Sequence, residues 1–475
     1  VSKKSANLPD PLVGGEPARL FPVLADTSKE GRTVSILLAC LAHVPDLART
    51  LFDTLGQRLG SRSRLETFTE VELTNHPDGA SDRLRPDGLI IIHNGRRSWK
   101  ALVEAKVQKR PLEKEQVERY LKLARANDID AVVTISNDFT AVPQHHPLRT
   151  AIRRLPKGVE LFHWSWASIQ THAKVLHRAN EVEDPDQQYI LHELARFLEH
   201  RSAGVLRFDR MDENWKNLVI SVAAGAKPKK GSHAVTETVA NWHQECRDLA
   251  LKLTEKVKTQ VDIRLPLKHR KDSSLRIADE SRRLCEELRL SVEFEVLNAA
   301  APIQVAADLR ARSIQCAMKI DAPEDRKSKA RTTWLLRQLK RSGAADLHVK
   351  ATWSGRTLPA QETLEAVRTK PDILHAKNSK TPPTAYQVLL IRDAGKRFDG
   401  PQTFIDELET TVERFYNEVG QHLKPWQPAA PKMVVEEGST DSDAPKKIRG
   451  VAMAAPTPSP ASDTRTGEDM ERPAE

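Results

Sequence analysis

The chain has 475 residues, with 74 Lys and Arg against 65 Asp and Glu, a formal net charge of +9 at pH 7 and a pI near 9.2. That length exceeds one ordinary core of ~100–200 residues, so two or three domains are expected. The basic balance fits a polyanionic partner; no run nears the ~18 apolar residues of a membrane helix, and the polar, lysine-bearing start lacks the apolar segment of a secretory signal, which reads as a soluble cytoplasmic protein.

Residues 1–19 carry Pro9, Pro11, Gly14, Gly15 and Pro17, which interrupt any regular element and predict a loose extension. From Thr27 the pattern turns helical: Val34, Leu37, Leu38 and Leu41 recur at i, i+3, i+4 and i+7 until Pro45 stops the run. A helix over 46–59, a strand over 66–73 and a turn-rich stretch at 75–82 follow. Two further strands, 88–93 and 98–107, are joined through Asn94-Gly95, a strong hairpin signal. A helix over 112–126 places Val117, Tyr120, Leu121 and Ala124 on one face, 131–136 reads as a buried strand, 159–164 as another strand and 187–200 as another helix.

Lys227-Pro-Lys-Lys-Gly231 reads as a linker. Beyond it, helices over 235–258, 275–288, 329–341 and 401–422 alternate with strands over 291–297, 313–320, 347–353 and 386–391, a second α/β or α+β domain. From 427 onward Pro, Ala, Ser, Thr and mixed charges dominate, a composition expected to stay disordered. The expected organisation is an extension over 1–19, an α/β domain over 20–226, a linker over 227–231, a second domain over 232–426 and a tail over 427–475. The four cysteines, Cys40, Cys246, Cys285 and Cys316, form no Cys-x-x-Cys pair, so buried free thiols are expected.

The chemistry concentrates on the hairpin. Arg85-Pro86-Asp87-Gly88 heads its first strand and Glu104-Ala105-Lys106 lies in its second. With a two-residue loop Asp87 is diagonal to Glu104, and with a four-residue loop directly opposite; either even loop puts both carboxylates on one sheet face, whereas an odd loop separates them. Strand alternation adds Lys106 to that face and sends Trp99, Ala101, Val103, Ala105 and Val107 to the other. Two carboxylates and an ammonium at the end of an apolar sheet call for a divalent cation or close pairing. The plainer alternative is a capped turn beside a surface charge ladder.

This arrangement resembles the PD-(D/E)xK nuclease superfamily over about the first third of the chain. The resemblance implies a restriction-endonuclease-like core of helix, three strands, helix and strand, with Asp87 and Glu104 holding Mg2+ (Mn2+ as an alternative), Lys106 acting on the attacking water, and the carbonyl of Ala105 as an extra ligand. Hard oxygen ligands suit such an ion, which stabilises charge on phosphate. Gln116 and Tyr120, at i and i+4 on the next helix, resemble the Gln-x-x-x-Tyr motif of RecB-type members, with Tyr120 as a plain core residue the alternative. Glu30 lies on the helix stripe of Val34 and Leu37 and matches the ligand-supporting Glu of the family's first helix; Thr27-x-x-Glu30 also reads as a capping box.

Other signals are thinner. The 16 histidines form no His-Glu-x-x-His spacing and no phosphate-binding Gly-rich loop appears. Arg326, Lys327, Lys329, Arg331, Arg337 and Arg341 run with no acidic residue among them, a candidate phosphate track or a solvated basic face. The resemblance does not extend to residues 232–426, whose expected role is selecting a substrate, a second copy of the chain or a partner protein. The function read from the sequence is a magnesium-dependent DNase of prokaryotic restriction, anti-phage defence or repair; the alternatives are a non-catalytic nucleic-acid or protein-binding module on a nuclease fold, or an RNase.

Overall fold

Strands of the first half are apolar on both faces, a pattern that requires cover on both sides. The computed structural model describes residues 9–21, 29–76, 84–149, 151–152, 154–179, 181–343, 345–374 and 381–427. Its first sheet runs in the order β1 (Leu12–Pro17), β2 (Arg64–Leu73), β3 (Gly88–Asn94), β4 (Arg97–Ala105), β5 (Ala131–Ser136) and β6 (Glu160–Ser165). β1 to β4 pair antiparallel; β4, β5 and β6 pair parallel, with α3 (Lys114–Ala126) as the crossover after β4.

One face carries Ile90, Ile92, Ala101, Val103, Ala105, Val133 and Ile135 against α1 (Lys29–His43), α2 (Pro45–Asp53), α4 (Trp166–Ala179) and α5 (Pro185–Glu199). The other carries Leu89, Ile91, Leu102, Val132 and Leu161 against α3. The first half is thus an α/β/α sandwich. Helix α1 lies so close to the hairpin that a Cβ on Gly88 would come within 2.6 Å of Leu38 Cδ1 and 3.1 Å of the Phe68 carbonyl. A side chain at that position must displace Leu38 and crowd the β2 backbone, which favours glycine.

The second half is built on a seven-stranded sheet in the order β12 (Ala360–Thr363), β11 (Leu347–Thr352), β13 (Ala385–Asp393), β10 (Ser313–Asp321), β9 (Ile303–Asp308), β8 (Arg289–Val296) and β7 (Val261–Ile263). Strict alternation buries Ile314, Cys316, Met318, Tyr386, Val388 and Leu390 on one face. That face packs with α6 (Trp215–Ala223), α7 (His233–Val257) and α12 (Pro401–Phe415), while α9 (Ser273–Glu287), α10 (Ser328–Gln338) and α11 (Leu364–Thr369) complete the same core; α8 (Leu267–Lys271) precedes α9. The opposite face forms a polar cleft of about 990 Å³ lined by Gln304, Gln315, Gln387, Lys350 and Arg276 among others.

Two expectations change and helix α4 is added. Residues 12–17 of the expected extension form edge strand β1, where the glycines are tolerated because the pairing with β2 shifts register twice. Helix α4, on which no expectation fell, is buried on every side from Trp166 to Ala173, the polar Ser168, Gln170, Thr171 and His172 included. The loop at 227–231 does not open the second domain: α6 before it buries Trp215, Leu218, Val219 and Val222 in the second core. The two halves join through part-buried polar contacts, Arg207 to Asp248 and Thr171 and Lys174 to Glu255. The four cysteines are buried free thiols. No single helix among the described residues is long and apolar enough to cross a membrane. The expected tail over 427–475 falls outside the described residues save Gln427.

Candidate active site

The hairpin decides what the site can contain. β3 and β4 pair from Gly88↔Val103 to Asn94↔Arg97, closed by Gly95 and Arg96, with Gly95 at φ +63° where side chains are disfavoured. The parity is even, and one step beyond Gly88↔Val103 sets Asp87 opposite Glu104. Asp87 Oδ2 accepts the N–H of Ala105 at 2.8 Å, fixing the carboxylate on the β4 strand. Lys106 Nζ donates to Glu104 Oε1 at 2.6 Å, with 3% of the Glu104 side chain exposed and 15% of that of Lys106.

Glu30, in the first turn of α1, arrives from the other side of the hairpin. It faces Arg110, whose Nη1 donates to its Oε1 at 3.3 Å, and its charge acts on Asp87, Glu104 and Lys106. Thr27, the other half of the capping-box alternative, lies outside the described residues. Burial first, then Glu104 and Glu30, push the Asp87 carboxyl up to about 8 against the pull of the Ala105 N–H and of Lys106. Burial also raises Glu104, opposed by Lys106 and the Tyr120 hydroxyl. Burial would lower the Lys106 ammonium, but Glu104, Glu30 and Asp87 hold it above its ordinary value.

Tyr120 spans the α3 core and the segment before the hairpin. Its ring belongs to the α3 core, and its hydroxyl donates to the carbonyl of Arg85 at 3.1 Å, two residues before Asp87. Gln116 Nε2 donates to the same hydroxyl at 3.3 Å. Tyr120 thus ties α3 to the segment entering Asp87, a positioning role.

Several supports had no short-range signal. Trp166 Nε1 donates to the Lys106 carbonyl at 2.9 Å, and Gln108 N donates to Gly204 O at 2.7 Å, where a Cβ on Gly204 would strike Gln108 and Val107. In register beside Glu104, Thr134 of β5 and His163 of β6 continue a polar row. Thr134 Oγ1 lies 2.8 Å from both His146 Nε2 and His163 Nδ1. His146 Nδ1 accepts from Leu148 N and His163 Nε2 meets the Asp138 carbonyl, so the proton direction follows: His146 Nε2–H to Thr134, and Thr134 O–H to His163. Both rings are neutral, burial pushing His146 down to about 2 and lowering His163.

The basic run divides. Arg326, Lys327, Lys329, Arg337 and Arg341 are exposed. Arg331 is 7% exposed, and its guanidinium donates to the carbonyls of Arg326, Glu324 and Pro383 at 2.6–2.8 Å. It closes a turn and is removed from the phosphate-contact candidates, because it is buried and three of its donors, one on each nitrogen, are bound to carbonyls.

The donor set suits a hard divalent ion. Asp87 Oδ1, Glu104 and the carbonyl of Ala105 are the oxygens that would hold it, and the carboxyls of Asp87 and Glu104, held above their usual range, would gain from such a cation; Glu30 does not form a three-carboxylate group with them, since the group of that kind among the described residues is Glu245, Asp248 and Glu409. Comparison of the chain with family models, curated proteins and solved structures gives no match.

Proposed function

We propose that the first half of this chain is a magnesium-dependent phosphodiesterase of the PD-(D/E)xK type that cleaves DNA. The observation that carries this reading is that the hairpin sets Asp87 opposite Glu104, with the Lys106 ammonium 2.6 Å from Glu104 and the carboxyls of Asp87 and Glu104 held above their usual range. When bound, magnesium supplies a Lewis acid for the scissile phosphate and an acidified water. The chain's own residues do the rest. Asp87 and Glu104 present oxygens from adjacent strands, fixed by the Ala105 N–H and by Lys106. Lys106, charged at neutral pH, offers N–H donors to the water or to the charge developing on phosphate. Tyr120 and Gln116 keep α3 registered against the strand that carries Asp87.

The net charge of +9 supports a polyanionic substrate. The second domain, with its polar cleft and the exposed basic residues around α10, is proposed to select that substrate, and the setting to be prokaryotic restriction, anti-phage defence or repair. The test is a panel of labelled single-stranded, duplex and branched DNA and of RNA, incubated with protein in magnesium or in EDTA. Magnesium-dependent cleavage of DNA is expected. Cleavage of RNA alone would reassign the substrate, and binding without cleavage of any member would make the domain a recognition module.

A further inference from the structure

A second set of carboxylates is buried far along the chain from the hairpin. Glu245 and Asp248, three residues apart on α7, and Glu409 of α12 each place a carboxylate oxygen within 4.8 Å of the other two. Glu245 and Asp248 are 0% exposed, whereas 28% of the Glu409 side chain meets solvent and leaves an entry path. Two cations attend the group. Lys252 Nζ lies 2.8 Å from Asp248 and 2.5 Å from Glu409, and Arg207 Nε lies 2.9 Å from the other Asp248 oxygen, while Arg207 Nη1 lies 3.4 Å from Glu255.

Neither cation reaches Glu245. Both of its oxygens are sealed from solvent and have no hydrogen-bond partner among the described residues. Burial first, then Glu409 and Asp248, push its carboxyl well above the ordinary range. With all groups ionised, the connected network sets five carboxylates, Glu245, Asp248, Glu409, Glu255 and Glu199, against the three cations Lys252, Arg207 and Lys174, and leaves two negative charges unmatched with Glu245 fully buried among them. Such a charge is not tolerated without a partner. A single proton would serve one Glu245 oxygen and leave the other without a donor. A divalent cation serves both, and oxygens within 4.8 Å of each other can share one ion at ligand distances of about 2.0–2.6 Å.

We propose that Glu245, Asp248 and Glu409 form a second, structural divalent-cation site that clamps α7 to α12. The all-oxygen donor set selects Mg2+, Mn2+ or Ca2+ over thiophilic metals. Water entering past Glu409 completes the coordination. Arg207 belongs to the segment that joins the two halves, so the same ion stiffens the junction.

The experiment uses full-length protein carrying Asp87→Ala and Glu104→Ala, which removes the hairpin carboxylates, titrated with MnCl2 and followed by calorimetry and electron paramagnetic resonance. One bound Mn2+ and a higher Tm in its presence are expected. Adding Glu245→Gln, which keeps shape and removes charge, should weaken that binding at least tenfold, with circular dichroism checking the fold. Glu409→Gln, at the solvent edge, provides the same reading if Glu245→Gln does not fold. Absence of Mn2+ binding in the hairpin double variant, or undiminished binding after Glu245→Gln or Glu409→Gln, overturns the proposal. The outcome is independent of whether the hairpin site cleaves nucleic acid.

Discussion

Replacing Asp87 by Asn should make the metal-free protein more stable at neutral and alkaline pH. Asp87 titrates near 8 in the folded chain against an ordinary 3.8, mainly because it is buried beside Glu104. A carboxyl raised on folding contributes stability that is complete below its unfolded pKa and is lost as pH climbs towards the folded value. The loss therefore falls between about pH 4 and pH 8. At 1.36 kcal/mol per unit, the protein should lose about 2 kcal/mol between pH 6 and pH 8 from this group alone. The amide of the Asp87→Asn variant would still accept the Ala105 N–H but cannot ionise, so the variant should lose most of that slope and exceed the wild type by a few kcal/mol at pH 8. Urea unfolding of both proteins in EDTA at pH 5, 6.5 and 8 measures this. Magnesium should stabilise the wild type by more than the variant, because only the wild type has a carboxylate at 87 on which the ion replaces the proton. A wild type whose stability is flat from pH 5 to 8 in EDTA, or a variant that tracks it, would refute the electrostatic picture of the site.

Three further outcomes follow from the packing. Gly88→Ala should destabilise the first domain by ~1–3 kcal/mol, because its Cβ meets both a Leu38 methyl and the Phe68 carbonyl; thermal unfolding checks it. Thr134→Val should cost ~2–4 kcal/mol in urea unfolding, since it leaves one donor and one acceptor of two buried histidines unpaired. Arg331→Ala should lower Tm by orphaning three carbonyls and leave the salt dependence of DNA binding unchanged, whereas Arg337→Ala with Arg341→Ala should flatten that dependence and spare Tm. The reverse pattern would return Arg331 to the phosphate contacts.

The hairpin was readable because a two-residue period and an Asn-Gly turn constrain it strongly. What stayed open was register: Asn94-Gly95 could close in two even ways, and the structure adopts the one that sets Asp87 opposite Glu104. Helix α1 was legible from its apolar spacing, yet its approach to the hairpin was not, although Gly88 beside Asp87 marks where a backbone must come close. Helix α4 escaped because its buried turns carry Ser168, Gln170, Thr171 and His172, polar residues that do not read as core. The row of Thr134, His146 and His163 was invisible for another reason: its members meet only through strand pairing and a loop, and no local spacing joins them. Arg331 shows the converse error, in which charge in a sequence run is taken for exposure; its side chain turned inward to cap carbonyls.

The central claim is that Asp87 and Glu104 hold a metal while Lys106 works on the reaction. The most direct measurement compares wild type, Asp87→Ala, Glu104→Ala and Lys106→Ala for magnesium-dependent cleavage of labelled DNA, with calorimetric Mg2+ binding and circular dichroism on the same samples. All three variants should fold and lose at least about a hundredfold in cleavage, an order of magnitude set by the loss of an electrostatic group from a reacting site. Mg2+ binding should fall for Asp87→Ala and Glu104→Ala and persist for Lys106→Ala. Wild-type cleavage by both Asp87→Ala and Lys106→Ala would contradict the claim.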